Sequence, residues 1–232
     1  MTAIRSHQSP PSPPLRPLEP GEHLTATEFL RRYDANGHRG RAELINGVVY
    51  MAPARFVQHG EPQAWLLSWL GNYTALTPGV RVGAPSSTRL DEDNVPEPDA
   101  ILRIEGGQSA LTDEGYLQGA PELVAEVAAS TTSFDLHEKL HVYRRHRVRE
   151  YIVWRMGDDA IDWFVWREGR YTAQPRPGDG IFKSEVFPGL WLDEAAMRAG
   201  NLARVIDVVA EGTRSAEHAA IVKQLEQDGK SA

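Results

Sequence analysis

Apolar positions along this chain change period several times, and each change predicts a new element. Thr25 is a helix-capping residue and Glu28 completes a capping box three positions later, so a first helix is expected over about 26–33. Ala42-Glu-Leu-Ile and Val48-Val-Tyr-Met then flank Asn46-Gly47. That dipeptide tolerates positive φ at both turn positions and is the strongest short hairpin signal. Between His59 and Leu76 the spacing of Trp65, Leu66, Trp69, Leu70 and Tyr73 fits an amphipathic helix, stopped by Pro78-Gly79. Short strands are expected near 80–83 and 87–90, then buried ones over 99–103 and 123–128, with Gly106-Gly107 as a turn between them. Ser130-Thr-Thr-Ser is a cap region for a helix over about 134–147. Segments 151–154, 161–166 and 171–173 read as a meander, and Phe187-Pro-Gly-Leu-Trp as the close of the sheet. Two helical stretches, about 194–210 and 215–227, follow.

This order predicts an α+β fold around one mixed sheet. Six prolines among residues 8–20 set the start apart as a disordered or extended leader, so 1–23 is excluded from the fold. One domain is expected over 24–193, with a C-terminal helical extension over 194–232. A length of 232 residues suits one such decorated domain. No run reaches the roughly 18–20 apolar residues of a membrane span. Nothing resembles a signal peptide, and cysteine is absent, which excludes disulfides and thiolate zinc sites. A cytoplasmic protein is expected.

The net charge of −7 argues against a general nucleic-acid binder. Its distribution argues less firmly, because Lys139, Arg144, Arg145, Arg147 and Arg149 follow one another with no acid between them. Arg144, Arg145 and Arg147 suit phosphate contacts, or equally the cationic end of a helix.

Two acids carry most of the chemical information. Asp99 opens the apolar run Asp99-Ala-Ile-Leu, and Glu126 interrupts Leu123-Val-Ala-Glu-Val-Ala. A carboxylate in a buried strand needs a cation or another partner. With Lys139 on the next helix, the set suits a hard divalent metal and phosphodiester hydrolysis. Plainer readings exist for each residue. Asp99 can end a turn, Glu126 can pair with an arginine, and Lys139 can pair with Asp135 four positions earlier. Glu43 can face solvent on an edge hairpin, and His59 can be an ordinary helix-start histidine.

Taken together, Glu43-Leu-Ile-Asn-Gly, Pro98-Asp99, Glu126-Val and Lys139 resemble the Uma2 family of the PD-(D/E)XK nuclease superfamily, over about residues 24–193. The resemblance implies a restriction-endonuclease-like core: a central mixed sheet flanked by helices. It implies metal ligands at Asp99 and Glu126, an early acid at Glu43 beside the metal, and an auxiliary histidine at His59. The lysine that usually lies two residues after the second acid is replaced by Ala128, so Lys139 becomes the candidate catalytic lysine. Asp135 is a possible auxiliary. The implied activity is Mg²⁺-dependent cleavage of DNA, with Mn²⁺ as a substitute, by a homodimer. A catalytically inactive nucleic-acid-binding or scaffold protein of the same fold is the alternative. A third reading takes His137-Glu138-Lys-Leu-His141 as a His-Glu-x-x-His zinc motif with Glu138 as base. A charged residue in its middle and the lack of a third His downstream count against it.

Overall fold

The computed structural model describes residues 15–37, 40–51, 56–129 and 132–229. The start of the expected leader and the Ser130-Thr131 part of the expected cap lie outside the described residues. Helix α1 (Ala26–Ala35) begins at Thr25, whose hydroxyl accepts the Glu28 N–H. The Glu28 carboxylate turns to Arg31 instead of back to the cap. Strands β1 (Glu43–Ile45) and β2 (Val48–Tyr50) form the expected hairpin. Its turn residues have φ of 50° at Asn46 and 76° at Gly47, a primed geometry that matches strand twist.

A π-helical turn (Phe56–Gly60) leads into α2 (Glu61–Ala75). Strands β3 (Val80–Gly83), β4 (Thr88–Arg89), β5 (Ala100–Ile104), β6 (Ala110–Leu111), β7 (Leu117–Gln118) and β8 (Leu123–Ala128) follow. The crossover from β8 to its neighbour consists of a short α3 (Thr132–Phe134), a second π-helical turn (Asp135–Lys139) and α4 (Leu140–Arg145). It begins and ends two residues earlier than the helix expected over 134–147, because Arg147 adopts a left-handed φ of 61° and turns the chain into the next strand. Then come β9 (Glu150–Arg155), β10 (Ala160–Arg167), β11 (Arg170–Ala173), β12 (Ile181–Lys183) and β13 (Trp191–Asp193).

The central sheet has six strands in the order β11-β10-β9-β8-β5-β3. Only β8 and β9 run parallel, which requires the crossover; the other neighbours are antiparallel. Every residue of β8 is buried, as a central strand with both faces covered must be. One face carries Leu123, Ala125, Val127, Ile152 and Trp154 against α2 and the C-terminal helices. The other carries Val124, Ala128, Tyr151 and Val153 against the crossover. Side-chain alternation puts Glu126 on this second face, toward α4.

Three expectations need correction. Phe187-Pro-Gly-Leu-Trp does not close the central sheet; it joins β12 and β13, a separate two-stranded ribbon. β4, β6 and β7 likewise form a small sheet of their own, too short to give a period. The end of the chain folds into three helices, α5 (Glu194–Arg198), α6 (Leu202–Gly212) and α7 (Ala216–Asp228), because Gly200 breaks the first stretch at φ 68°. Their apolar residues Met197, Val205, Val209 and Leu225 join the same core as the sheet. Among the described residues, no helix is long and apolar enough to cross a membrane.

Candidate active site

Register brings the two strand acids together. The last pair of β5 and β8 is Ala100↔Ala125, so Asp99 and Glu126 stand opposite each other one step further. The Asp99 N–H donates to Glu126 Oε2 at 3.3 Å, and the Val127 N–H donates to Asp99 Oδ2 at 2.8 Å. Each acid is only 2 % exposed.

Lys139 comes up from the π-helical turn of the crossover, itself 4 % exposed. Its Nζ lies 3.0 Å from Glu126 Oε1, 2.9 Å from Glu43 Oε1 and 3.7 Å from Asp135 Oδ1. The Tyr143 hydroxyl, one turn along, donates to the same Glu126 oxygen at 2.9 Å. Glu43 Oε1 also accepts the Glu97 N–H at 2.7 Å, which fastens the hairpin to the strand entry. The expected Asp135–Lys139 pair exists, but it is buried and shared rather than a surface pair.

Asp99 Oδ1 is surrounded from the other side. Arg41 donates to it at 2.9 Å, His59 Nε2 lies 3.0 Å away, and the Gln63 amide donates at 3.2 Å. His59 Nε2 also lies 2.7 Å from an Arg41 nitrogen. Arginine has no lone pair to accept with, so a proton on Nε2 goes to Asp99. Arg41 further donates to Glu97 Oε1 at 3.1 Å and to the Glu97 carbonyl at 2.8 Å. π-helical turns often accompany functional residues, and here they carry both His59 and Lys139.

The electrostatics follow from burial and from the charge count. Five carboxylates, those of Glu43, Glu97, Asp99, Glu126 and Asp135, share the two fixed cations Arg41 and Lys139. Burial alone would raise the Asp99 carboxyl, yet the His59 hydrogen bond, the Arg41 charge and the Val127 N–H outweigh it and hold it below its ordinary value. Burial pushes Glu126 well up. Lys139 opposes this, but the charges of Asp99, Asp135 and Glu43 add to it. Burial would lower Lys139, but Glu126, Glu43 and Asp135 together drive it well above the usual lysine value. Lys139 is therefore a fixed ammonium, a charge and a hydrogen-bond donor.

Sequence reasoning missed Arg41, Glu97, Gln63 and Tyr143. Spacing offered a signal for two of them: Gln63 lies four residues after His59, and Tyr143 four after Lys139. The basic run after Lys139 does not converge on the carboxylates. Arg144 donates to the Gly169 carbonyl, Arg145 reaches Asn46 and Asp91, and Arg147 is exposed. The His-Glu-x-x-His residues point outward: His137 and His141 are exposed, and Glu138 accepts from Asn46 at 3.2 Å. Among the described residues, no group of three or more His, Asp or Glu side chains is placed to hold a metal ion as it stands.

The fold has a counterpart among solved structures. A crystal structure from Anabaena variabilis, described as that of "a putative nuclease belonging to DUF820", superposes with a TM-score of 0.56. The two share 12% identity, over 80% of this chain and 99% of that one. No curated protein matches. The family model described as "Putative restriction endonuclease", Uma2, matches residues 26–196, which span both strand acids, Glu43 and the crossover lysine. The chain belongs to the Uma2 family.

Proposed function

We propose that this chain is a divalent-metal-dependent endonuclease acting on DNA, with Asp99 and Glu126 as the ligands of Mg²⁺ or Mn²⁺ and Lys139 as the catalytic lysine. One observation carries the reading: four buried acids, Glu97, Asp99, Glu126 and Asp135, and the half-buried Glu43 converge on two cations at the junction of β5 and β8. An apolar interior does not retain such an excess of negative charge without a further cation. The donors are all carboxylate oxygens, which is the chemistry of a hard divalent ion. A bound ion would lower the pKa of a water and offset charge on the phosphate.

The chain's own residues prepare that site. Val127 N–H, His59 and Gln63 fix the Asp99 carboxylate, while Tyr143 and Lys139 fix Glu126. Glu126, Glu43 and Asp135 keep Lys139 protonated, so it serves by donating to a phosphate oxygen as charge builds there and not by taking a proton. Arg41, whose side chain is 27% exposed, bonds Asp99 and would exchange that contact for two oxygens of the phosphate, which the N–H fork of a guanidinium matches. Arg145 and Arg147 would meet flanking phosphates, and a homodimer would present one site to each strand.

Nucleic-acid binding without turnover is the second reading. It is favoured by the replacement of the expected lysine by Ala128 and by the hold of Arg41 and Lys139 on the acids. Supercoiled plasmid incubated with Mg²⁺ or Mn²⁺ separates the two. Cutting by wild type that falls by about 10²-fold or more in Asp99→Ala and in Glu126→Ala supports the enzyme. Retention of plasmid without nicking supports binding alone. Cutting that survives both substitutions overturns the assignment of ligands.

A further inference from the structure

Glu97 holds the one oxygen of the acidic cluster that nothing in the described chain satisfies. Its Oε1 accepts from Arg41 at 3.1 Å, whereas Oε2 is buried with no hydrogen-bond partner. The side chain is 9% exposed. An acceptor buried and left unmade is costly, and a folded chain bears that cost where a ligand supplies the donor.

That carboxylate lines a cavity of about 220 Å³ together with Tyr33, Tyr116, Pro85, Ser86 and Ser87. The hydroxyls of Tyr116 and Ser86 are engaged elsewhere, and that of Tyr33 lies beside Glu97. Tyr33 donates to the Gly40 carbonyl, Tyr116 to Asp34, and Ser86 to the Ala84 carbonyl. The volume far exceeds one water, which needs only about 10–15 Å³ of such space. Two tyrosines and a proline offer flat apolar surface, and aromatic side chains hold unstacked bases by stacking on their faces.

The occupant must bring N–H donors to an oxygen that only accepts, and a planar body to the tyrosines. Guanine alone among the DNA bases carries two adjacent donors, N1–H and N2–H₂, on its pairing edge. Adenine and cytosine set a ring-nitrogen acceptor beside their amino group, and thymine flanks its single N–H with carbonyls. An acceptor pressed against a carboxylate oxygen is repelled. We propose that this cavity is a recognition pocket for a single unpaired guanine base, read by Glu97 and stacked against Tyr33 and Tyr116. The pocket rests on the DNA-cleavage reading for its purpose. Arg41 links the two, since it bonds both Glu97 and Asp99 and so sets the base beside the strand acids.

The test titrates the full chain with each of the four 2′-deoxynucleoside 5′-monophosphates, without metal, by calorimetry. The deoxyguanosine compound is expected to bind about tenfold or more tighter than the other three, in the range of one good paired contact. Glu97→Gln should erase that preference. Ser86→Trp, a substitution on the exposed rim that leaves Glu97 and Arg41 untouched, should abolish binding of all four with an unchanged melting temperature. Equal affinities for the four nucleotides, or a guanine preference that survives either variant, overturns the pocket. Its fate is separable from that of the nuclease. Guanine preference without plasmid cutting keeps the pocket and removes the enzyme, whereas cutting without preference does the reverse.

Discussion

At the scale of single residues, the balance at Lys139 decides the most. One ammonium lies within salt-bridge distance of the buried Glu126 and Asp135 and the half-buried Glu43. Taking it away strands three acids, and breaking a buried pair from one side costs about 3–5 kcal/mol. Lys139→Met should therefore lower unfolding stability by about that amount in urea titration. Adding Glu126→Gln should return about 1 kcal/mol or more, because neighbours in one network do not add. If Lys139→Met melts like wild type, Lys139 does not carry the balance ascribed to it. Asp99 and Glu126 were legible because acids in apolar strands are conspicuous, whereas Glu43 and Lys139 drew attention mainly through the family resemblance. Glu97 was not. Pro96-Glu97-Pro98 reads as a polar turn, and only the tertiary approach of Arg41 and of Tyr33 gives it meaning. Arg41 gave no signal either, since its partners are 56 and 58 positions away.

At the scale of elements, the β1–β2 hairpin shows how a local code places a distant charge. Asn46-Gly47 fixes the turn, the turn fixes the pairing Glu43↔Tyr50, and that pairing holds Glu43 toward Lys139. Gly47 has φ 76°, while a Cβ there would meet nothing closer than the Leu24 carbonyl oxygen at 3.6 Å. The cost of a side chain is thus purely that of the left-handed backbone, about 1–2 kcal/mol. Gly47→Ala should lower stability by that amount, and Gly47→Asn by less, since Asn tolerates this region. Equal losses in thermal melts would place the cost in contacts instead of in φ. The hairpin and the meander were readable because two-residue turns announce themselves. The two π-helical turns were not, since each spans only five residues, too few to show a period of its own.

At the scale of the whole molecule, pieces that the sequence presents as separate share one interior. The C-terminal helices fill the core beneath α2 and the sheet, which no local period announces. The ribbon β12–β13 is tied to the central sheet through Glu150, a carboxylate at the start of β9. Ser184 donates to it at 2.6 Å and the Glu185 N–H at 2.7 Å, and among the described residues no cation pairs with it. Burial pushes its pKa up to about 7 against the ordinary 4.5, although the Ser184, Glu185 and Val186 donors pull it down. Between those two values the native state binds the proton more tightly than the unfolded chain does. Stability from this group is therefore fully present below about pH 4.5 and is lost as pH rises through 7, by about 3 kcal/mol in total. Glu150→Gln keeps the shape and removes the proton equilibrium. Urea unfolding of both chains at pH 5 and pH 8 should show wild type losing about 3 kcal/mol more than the variant across that interval. Parallel losses would mean that Glu150 titrates alike in the folded and unfolded chain, and that the ribbon is held to the sheet without regard to its charge.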